Sequence, residues 1–227
     1  MNLYIYDHCP FCVKARMIFG LRDVPVTLQT LLNDDAETPA RLVGEKKVPI
    51  LEFEDGHTLG ESLDIVKCID SEAEGVKVME GPRNPEIERW VKASSETVGR
   101  LFIPRAPRAP LGEFATIDAV EHFTHNKKAV FGRFDTLLGQ TPELLVEMTQ
   151  WLNELDALIQ SPEAVNDVLS MDDIELFPVL RQLSLVQGVK YPERVEAYRQ
   201  AMSRLADVPL HDEIAVAARA RWRRYNI

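Results

Sequence analysis

The chain has 227 residues, of which 45% are hydrophobic and 27% charged, and its formal net charge is −10. This length suits two modest domains, each with a core of its own. The negative charge argues against a protein that works by neutralising phosphates on nucleic acid or on an anionic membrane. No uncharged stretch is long enough to span a bilayer and no basic leader precedes the first apolar run, so we expect a cytoplasmic protein.

The N-terminal segment predicts a buried strand over residues 2–7 and then a helix, with Cys9-Pro10-Phe11-Cys12 at the junction. Apolar Val13, Met17 and Ile18 indicate the buried face of that helix. Unpaired N–H groups and the positive end of the dipole at a helix N-terminus favour a thiolate at the first cysteine. Cys9 is therefore expected to attack a disulfide, and Cys12, one turn later, to resolve the mixed disulfide.

The neighbours of this dithiol leave alternatives open. His8 and Lys14 either lower the pKa of Cys9 or are simply solvated. The motif itself resembles half of a zinc site, but zinc needs four ligands, and Cys68 and the scattered histidines repeat no ligand spacing, so no metal site is predicted. A structural disulfide over so short a loop would remove little chain entropy. A redox pair is the favoured interpretation.

The following segments complete a β-α-β-α-β-β-α order, which predicts a thioredoxin-like α/β domain. The predicted strands cover residues 24–31, 46–53 and 57–59, and the predicted helices cover residues 36–43 and the segment from Glu61-Ser62 onward. Asp55-Gly56 is a strong hairpin signal between the last two strands. Cys68 falls on the apolar stripe of the last helix and is expected to be a small buried hydrophobe without a chemical role.

Three motifs of this half carry a resemblance to glutaredoxins. Cys9-Pro10-Phe11-Cys12 resembles their dithiol motif, Val48-Pro49 resembles the valine and cis-proline that face it, and Glu61-Ser62 resembles the pair that binds the γ-glutamyl end of glutathione. The three motifs match in order and in approximate spacing. Taken singly, Val48-Pro49 could be only the start of a strand, and Glu61-Ser62 could be only a helix cap.

The resemblance implies a glutathione-binding role for each of these residues. The backbone of Val48, presented by cis Pro49, would pair with the cysteinyl part of glutathione. Ser62 at the helix start would hold the γ-glutamyl carboxylate, and Glu61 would accept from the ammonium group.

Two lysines beside these motifs leave alternatives open. Lys46 and Lys47 either meet the glycyl carboxylate of glutathione or are solvated lysines of an edge strand.

From residue 84 the pattern becomes all helical. Asn84 is a predicted N-cap, and further helices are predicted over residues 120–138, from residue 141, and over residues 192–205. Ser170 and Asp173 predict a capping box for a buried helix that ends at Gly188. We therefore expect a thioredoxin-like domain over residues 1–73, a linker over 74–83 and an all-helical domain over 84–227.

The helical half resembles the C-terminal domain of glutathione transferases, and residues 1–202 together resemble the large bacterial glutaredoxins of the glutaredoxin-2 type. The resemblance implies a monomeric, glutathione-dependent dithiol-disulfide oxidoreductase that acts on glutathionylated and disulfide-containing proteins. Glutathione would be the cosubstrate, and no cofactor would be bound permanently.

Two other functions remain open. A glutathione transferase that conjugates electrophiles would leave the Cys9 and Cys12 pair without a purpose. A non-enzymatic interaction protein with a transferase-like body could dispense with both thiols and with Glu61-Ser62.

The resemblance does not explain the C-terminal basic run, which consists of Arg219, Arg221, Arg223 and Arg224 around Trp222. These arginines either favour the negative end of a helix dipole or contact a polyanion.

Overall fold

The computed structural model describes residues 1–215, so the basic run from Arg219 to Arg224 lies outside the described residues. The strands are β1 Asn2–Ile5, β2 Thr27–Thr30, β3 Ile50–Glu52 and β4 Thr58–Leu59. The helices are α1 Pro10–Leu21, α2 Glu37–Val43, α3 Ser62–Glu72, α4 Pro85–Phe102, α5 Ile117–Phe131, α6 Phe134–Gly139, α7 Thr141–Leu158, α8 Met171–Leu183 and α9 Glu193–Leu205. Three short 3-10 helices span Val78–Glu80, Ala106–Arg108 and Gly112–Phe114. We call the part from β1 to α3 the sheet half and the part from α4 onward the helical half.

The strands form one sheet in the order β2-β1-β3-β4. β1 runs parallel to β2 and antiparallel to β3, with Leu3 opposite Leu28 on one side and Leu51 on the other. This is the thioredoxin-like arrangement that the element order predicted. β2 and β3 are shorter than predicted because Pro25 and Pro49, which lack a backbone donor, lie outside the ladders. The central strand β1 leads directly to the dithiol.

The helical half follows the predicted pattern with two corrections. Asn84 caps α4, since its side chain accepts from the N–H of Glu86 at 3.0 Å. The single helix predicted over residues 120–138 is wrong: Gly132, at a φ of +83°, separates α5 from α6. α8 also ends at Leu183 rather than continuing to Gly188, because the N–H of Ser184 already closes the last turn.

The predicted capping box at the start of α8 is present. The N–H of Ser170 donates to Oδ2 of Asp173 at 2.9 Å, and Oγ of Ser170 accepts from the N–H of Asp172 at 3.3 Å. The buried Asp173 also accepts from the hydroxyl of Tyr198 at 2.9 Å, and Oδ2 of Asp172 accepts from the N–H of Asn84 at 2.6 Å. These bonds tie the starts of α4 and α8 together and fix the direction of α8.

One large hydrophobic core runs through both halves, and a smaller second cluster lies within the helical half. The large core includes Leu3 and Met17 of the sheet half together with Trp90 and Phe177 of the helical half, all fully buried. At Gly20 of α1 the halves meet so closely that a Cβ would lie 2.0 Å from the carbonyl oxygen of Ala206. The halves therefore pack as one body, with α1 between α3 and α8. No helix among residues 1–215 is long and apolar enough to cross a membrane.

Candidate active site

The two cysteines of the predicted dithiol occupy different environments at the start of α1. Cys9 is the N-cap residue, with an extended backbone, and Pro10 follows in the first turn, where a missing N–H costs nothing. Cys9 is half-buried and lines an open cleft, whereas Cys12 is only 1% exposed. The structure thus places a reachable sulfur directly before the helix and a covered sulfur one turn inside it.

The pKa values of the two thiols move in opposite directions. A hydrogen bond from the Cys12 thiol, helped by the charge of His8 and the N–H of Phe11, lowers the pKa of Cys9 to about 6. Burial, together with the hydrogen bond to Cys9, raises the pKa of Cys12 well above its ordinary value. At neutral pH the pair is therefore a thiolate beside a thiol. The ammonium group of Lys14 instead lies 5.6 Å from the centre of the Phe11 ring.

The turn before Cys9 is held by two charged residues of the helical half. The N–H of His8 donates to Oε1 of Glu113 at 2.7 Å, and Nδ1 of the same histidine lies 2.7 Å from that oxygen. Arg181 of α8 forms an ion pair with Asp7. Glu113 and Arg181 were missed from the sequence because they are 105 and 174 residues from their partners. One sign in the sequence that Arg181 could have a buried partner is that it is a charged residue among the apolar residues of α8.

Val48 and Pro49 have the geometry that the resemblance implied. The peptide bond between them is cis. Pro49 is buried and Val48 is half-buried. Within residues 1–215 no hydrogen bond engages the backbone N–H or carbonyl oxygen of Val48. These two groups are available to an extended peptide that lies alongside them.

Glu61 and Ser62 lie where α3 begins. Glu61 is the N-cap residue, but its side chain makes no capping hydrogen bond and its φ is +63°, a conformation that costs a non-glycine residue about 1–3 kcal/mol. Ser62 is buried as the first helical residue, so its N–H has no partner within the helix. The Glu61 carboxylate accepts from Nζ of Lys47 at 2.7 Å, and Lys47 also pairs with Glu45. The backbone here is held in a strained form that presents Ser62 and Glu61.

Lys46 and Cys68 are the remaining residues singled out from the sequence. Nζ of Lys46 lies 2.7 Å from Nε2 of His122 in α5. Cys68 is half-buried rather than buried, since its thiol lies at the surface end of the α3 stripe near Glu72. Burial raises its pKa, which leaves it a less reactive thiol than Cys9.

A cleft of about 420 Å³ lies beside Cys9, between the two halves of the molecule. Its walls are mainly apolar and include Phe11, Val98, Phe102 and Phe131. The cleft does not include Val48, Pro49, Glu61 or Ser62 among its lining residues. A disulfide held at Cys9 thus has an apolar surface on one side that is separate from the predicted glutathione-binding residues.

Comparison with known proteins covers both halves. The family model described as glutaredoxin 2, C-terminal domain, matches residues 86–215. The model described as glutathione S-transferase, N-terminal domain, matches residues 3–77. More than half of the chain therefore matches one model that is specific to glutaredoxin 2.

Comparisons with whole proteins indicate the same family as the domain models. Glutaredoxin 2 of Escherichia coli strain K12 is 45% identical over 216 residues, which is 95% of this chain and 100% of that protein. The crystal structure of glutaredoxin 2 from Salmonella typhimurium in complex with glutathione has a TM-score of 0.92 at 45% identity, over 94% of this chain and 98% of that one. Glutathione transferase Omega 3C from Trametes versicolor shares the fold at 18% identity and a TM-score of 0.57, over 98% and 90% of the two chains. With its dithiol at the start of α1 and the glutaredoxin 2 model matched over residues 86–215, the chain belongs to the glutaredoxin 2 family.

Proposed function

We propose that this chain reduces protein-glutathione mixed disulfides and protein disulfides, with Cys9 as the nucleophile and Cys12 as the resolving thiol. Membership of the glutaredoxin 2 family makes the chain a glutathione-dependent disulfide oxidoreductase, so the proposal concerns residues, substrates and steps. The observation that carries it is the pair of opposite pKa shifts, downward at Cys9 and upward at Cys12. A thiolate next to a protonated thiol is ready to attack one disulfide and then to resolve the product.

Deglutathionylation needs only Cys9. Its thiolate attacks the glutathione sulfur of a mixed disulfide, which forms a bond between Cys9 and glutathione and releases the protein thiolate to take a proton. A second glutathione, as thiolate, attacks the sulfur of the bound glutathione. This step regenerates the Cys9 thiolate and releases glutathione disulfide.

Reduction of a protein disulfide also uses Cys12. Attack by Cys9 gives a mixed disulfide with the substrate and frees one substrate thiolate. Cys12 then loses its proton and attacks the sulfur of Cys9, which releases the second substrate thiolate and leaves a bond between Cys9 and Cys12. Two glutathione molecules reduce that bond and leave as glutathione disulfide.

The residues that we expect to bind glutathione are Val48, Pro49, Glu61 and Ser62. The solved glutaredoxin 2 of Salmonella typhimurium is a complex with glutathione. The unengaged backbone groups of Val48, presented by Pro49, support pairing with the cysteinyl part of glutathione here. The free N–H of Ser62 at the start of α3 supports binding of the γ-glutamyl carboxylate, and Glu61 would accept from the ammonium group in place of Lys47.

The apolar cleft beside Cys9 favours one alternative, a glutathione transferase. Conjugation of an apolar electrophile needs such a surface next to the glutathione sulfur, and the cleft has both the place and the lining for it. In that reaction the nucleophile is glutathione itself, so the two cysteines would not be required. The two functions therefore differ in what happens when Cys9 is removed.

The test is a glutathione-coupled assay on β-hydroxyethyl disulfide and on a glutathionylated protein, run beside conjugation of an aromatic electrophile. We expect Cys9→Ser to abolish reduction of both substrates and of a protein with an internal disulfide assayed in the same way. Cys12→Ser should keep deglutathionylation while losing reduction of the internal protein disulfide. Cys68→Ser is the matched control and should leave all rates unchanged. Conjugation that survives Cys9→Ser, with little disulfide turnover, would replace the oxidoreductase mechanism with the transferase one. Loss of deglutathionylation in Cys12→Ser would contradict the division of roles.

A further inference from the structure

Glu113 is a fully buried carboxylate next to the dithiol. It belongs to the short 3-10 helix Gly112–Phe114 of the helical half and has an exposed fraction of 0%. Its Oε1 accepts from the N–H of His8, while its Oε2 has no hydrogen-bond partner among the described residues. Burying a carboxylate is costly unless the charge is paired. The carboxylate of Glu113 contacts His8, the residue directly before Cys9, so its cost of burial can be related to the reactivity of Cys9.

The imidazole of His8 is buried against three aromatic rings. It stacks on Tyr6 at 5.8 Å between ring centres, and it contacts the rings of Phe114 and Phe123 at 5.1 Å each. An ionised carboxylate oxygen can only accept, so Nδ1, at 2.7 Å from Oε1 of Glu113, carries a hydrogen. Nε2 is then the ring nitrogen that does not contact Glu113.

The charge of this ring acts on Cys9. The positive form of His8 is among the causes that lower the pKa of Cys9. The carboxylate of Glu113 contacts His8 at both the backbone N–H and Nδ1, and its charge raises the pKa of Cys12. His8 is thus in contact with this carboxylate and is also a residue whose charge acts on Cys9.

Other titratable groups surround the pair of His8 and Glu113. By element they are Tyr6 and Asp7 after β1, Cys9 and Cys12 at α1, Asp35 after β2, Lys127 of α5, Arg181 of α8 and His211 after α9. Asp7 is already paired with Arg181, and burial keeps the pKa of His211 at about 3. Among the described groups, Glu113 is the carboxylate in hydrogen-bond contact with His8.

We propose that Glu113 is a positioning residue for the dithiol reaction, which anchors the backbone and ring of His8 so that the imidazole presents its charge to the sulfur of Cys9. The inference rests on the proposed function, because it takes Cys9 as the nucleophile. It also assigns a role to the helical half, which supplies the carboxylate to an active site built on the sheet half.

The test measures the rate of Cys9 alkylation by iodoacetamide against pH, in a background with Cys68→Ser. Glu113→Gln keeps the size of the side chain and removes its charge, and it should move the midpoint of the profile upward by about one pH unit. His8→Gln should give a similar shift, and adding Glu113→Gln to His8→Gln should add nothing. Glu121→Gln removes an exposed carboxylate of α5 that does not touch His8, and it should leave the midpoint unchanged.

The midpoint of the alkylation profile in these variants decides whether Glu113 has the proposed role. An unchanged midpoint in Glu113→Gln, or a further shift when it is added to His8→Gln, would overturn the proposal. If Glu113→Gln fails to fold, Glu113→Asp, which keeps the charge at a shorter reach, should still shift the midpoint by a smaller amount. In that case an unchanged midpoint in Glu113→Asp or in His8→Gln would overturn it. Failure of the proposed function is recognised separately, since conjugation would then survive Cys9→Ser and disulfide turnover would be low in the parent as well.

Discussion

Arg181, in the last turn of α8, donates from Nη2 to Oδ1 of Asp7 at 2.8 Å and from Nη1 to the carbonyl oxygen of the same residue. Its Nε donates to the carbonyl oxygen of Pro209 at 2.9 Å. Asp7 is two residues before Cys9, and Arg181 is only 2% exposed. One buried guanidinium thus connects α8, the turn before the dithiol and the segment after α9.

Replacing Arg181 should therefore destabilise the whole molecule. Arg181→Met leaves the carbonyl oxygens of Asp7 and Pro209 without this donor. It also leaves the Asp7 carboxylate with the longer ion pair to Arg16 at 3.5 Å. We expect a loss of about 2–3 kcal/mol in the free energy of unfolding. Urea unfolding at neutral pH measures the loss. Arg194→Met, at an exposed arginine of α9, is the matched control and should change stability by less than about 0.5 kcal/mol. Equal stability of the two variants would contradict the role of Arg181.

The reactivity of Cys9 should follow its lowered pKa. Only the thiolate is alkylated, so the rate should rise with pH through a midpoint at about 6 and level off above it, whereas an ordinary cysteine has its midpoint at about 8.5. Cys12→Ala removes the thiol that donates to Cys9 and should move the midpoint upward. The measurement is the rate of iodoacetamide labelling against pH. A midpoint above about 8 in the unmodified chain would show that the thiolate is not stabilised.

The same shift makes the stability of the reduced protein depend on pH. The folded chain loses the Cys9 proton near pH 6, while the unfolded chain keeps it to about pH 8.5. In that interval the unfolded state binds more protons, so the contribution of Cys9 to the free energy of unfolding rises with pH. This contribution is fully present above about pH 8.5, the pKa of Cys9 in the unfolded chain. It is lost as the pH falls through the pKa of about 6 in the folded chain. Comparing urea unfolding of the parent and of Cys9→Ser across this interval isolates the contribution, and a constant difference would contradict it.

Glu61 should affect binding of glutathione more than turnover. Glu61→Gln weakens a charge-assisted hydrogen bond to the γ-glutamyl ammonium group, and we expect the KM for a glutathione mixed disulfide to rise about tenfold with kcat nearly unchanged. Glu45→Gln is the matched control, because Glu45 pairs with the same Lys47. If both variants raise KM equally, the effect comes from Lys47 and not from contact between Glu61 and glutathione.

Gly20 should tolerate no side chain. A Cβ at this position of α1 would lie 2.0 Å from the carbonyl oxygen of Ala206, so Gly20→Ala forces the two halves apart and should cost about 2 kcal/mol or more. Gly139→Ala, at the end of α6, meets no atom within 4 Å and should be neutral or stabilising by less than about 1 kcal/mol. Thermal unfolding of the two variants gives the comparison. A Gly20→Ala variant as stable as Gly139→Ala would contradict the close approach.

Features that depend on neighbouring residues could be predicted from the sequence. The dithiol at the start of α1, the capping box of Ser170 and Asp173, and the cap at Asn84 each depend on a few consecutive residues and on helix geometry. The fold class followed from the order of such segments. The resemblance to glutaredoxins also implied the cis peptide bond before Pro49, which the structure confirms.

Features that depend on distant residues could not be predicted. Glu113 and Arg181 reach the turn before Cys9 only after the helical half has packed against α1, and no spacing rule connects them to their partners. The break at Gly132 was missed because apolar residues continue with helical spacing on both sides of it. The division into residues 1–73, 74–83 and 84–227, the monomeric state and the cytoplasmic location stay predictions.

The core that α1 shares with α3 and α8 joins the two halves, so we expect the molecule to unfold as a single cooperative unit. A sheet half cut off after α3 would expose the apolar side of α1 to water and would lose the partners of Asp7 and His8. Heat or urea should therefore melt both halves in one transition, and limited proteolysis should release no active fragment. We therefore expect a thiolate poised to react with disulfides only while both halves are folded.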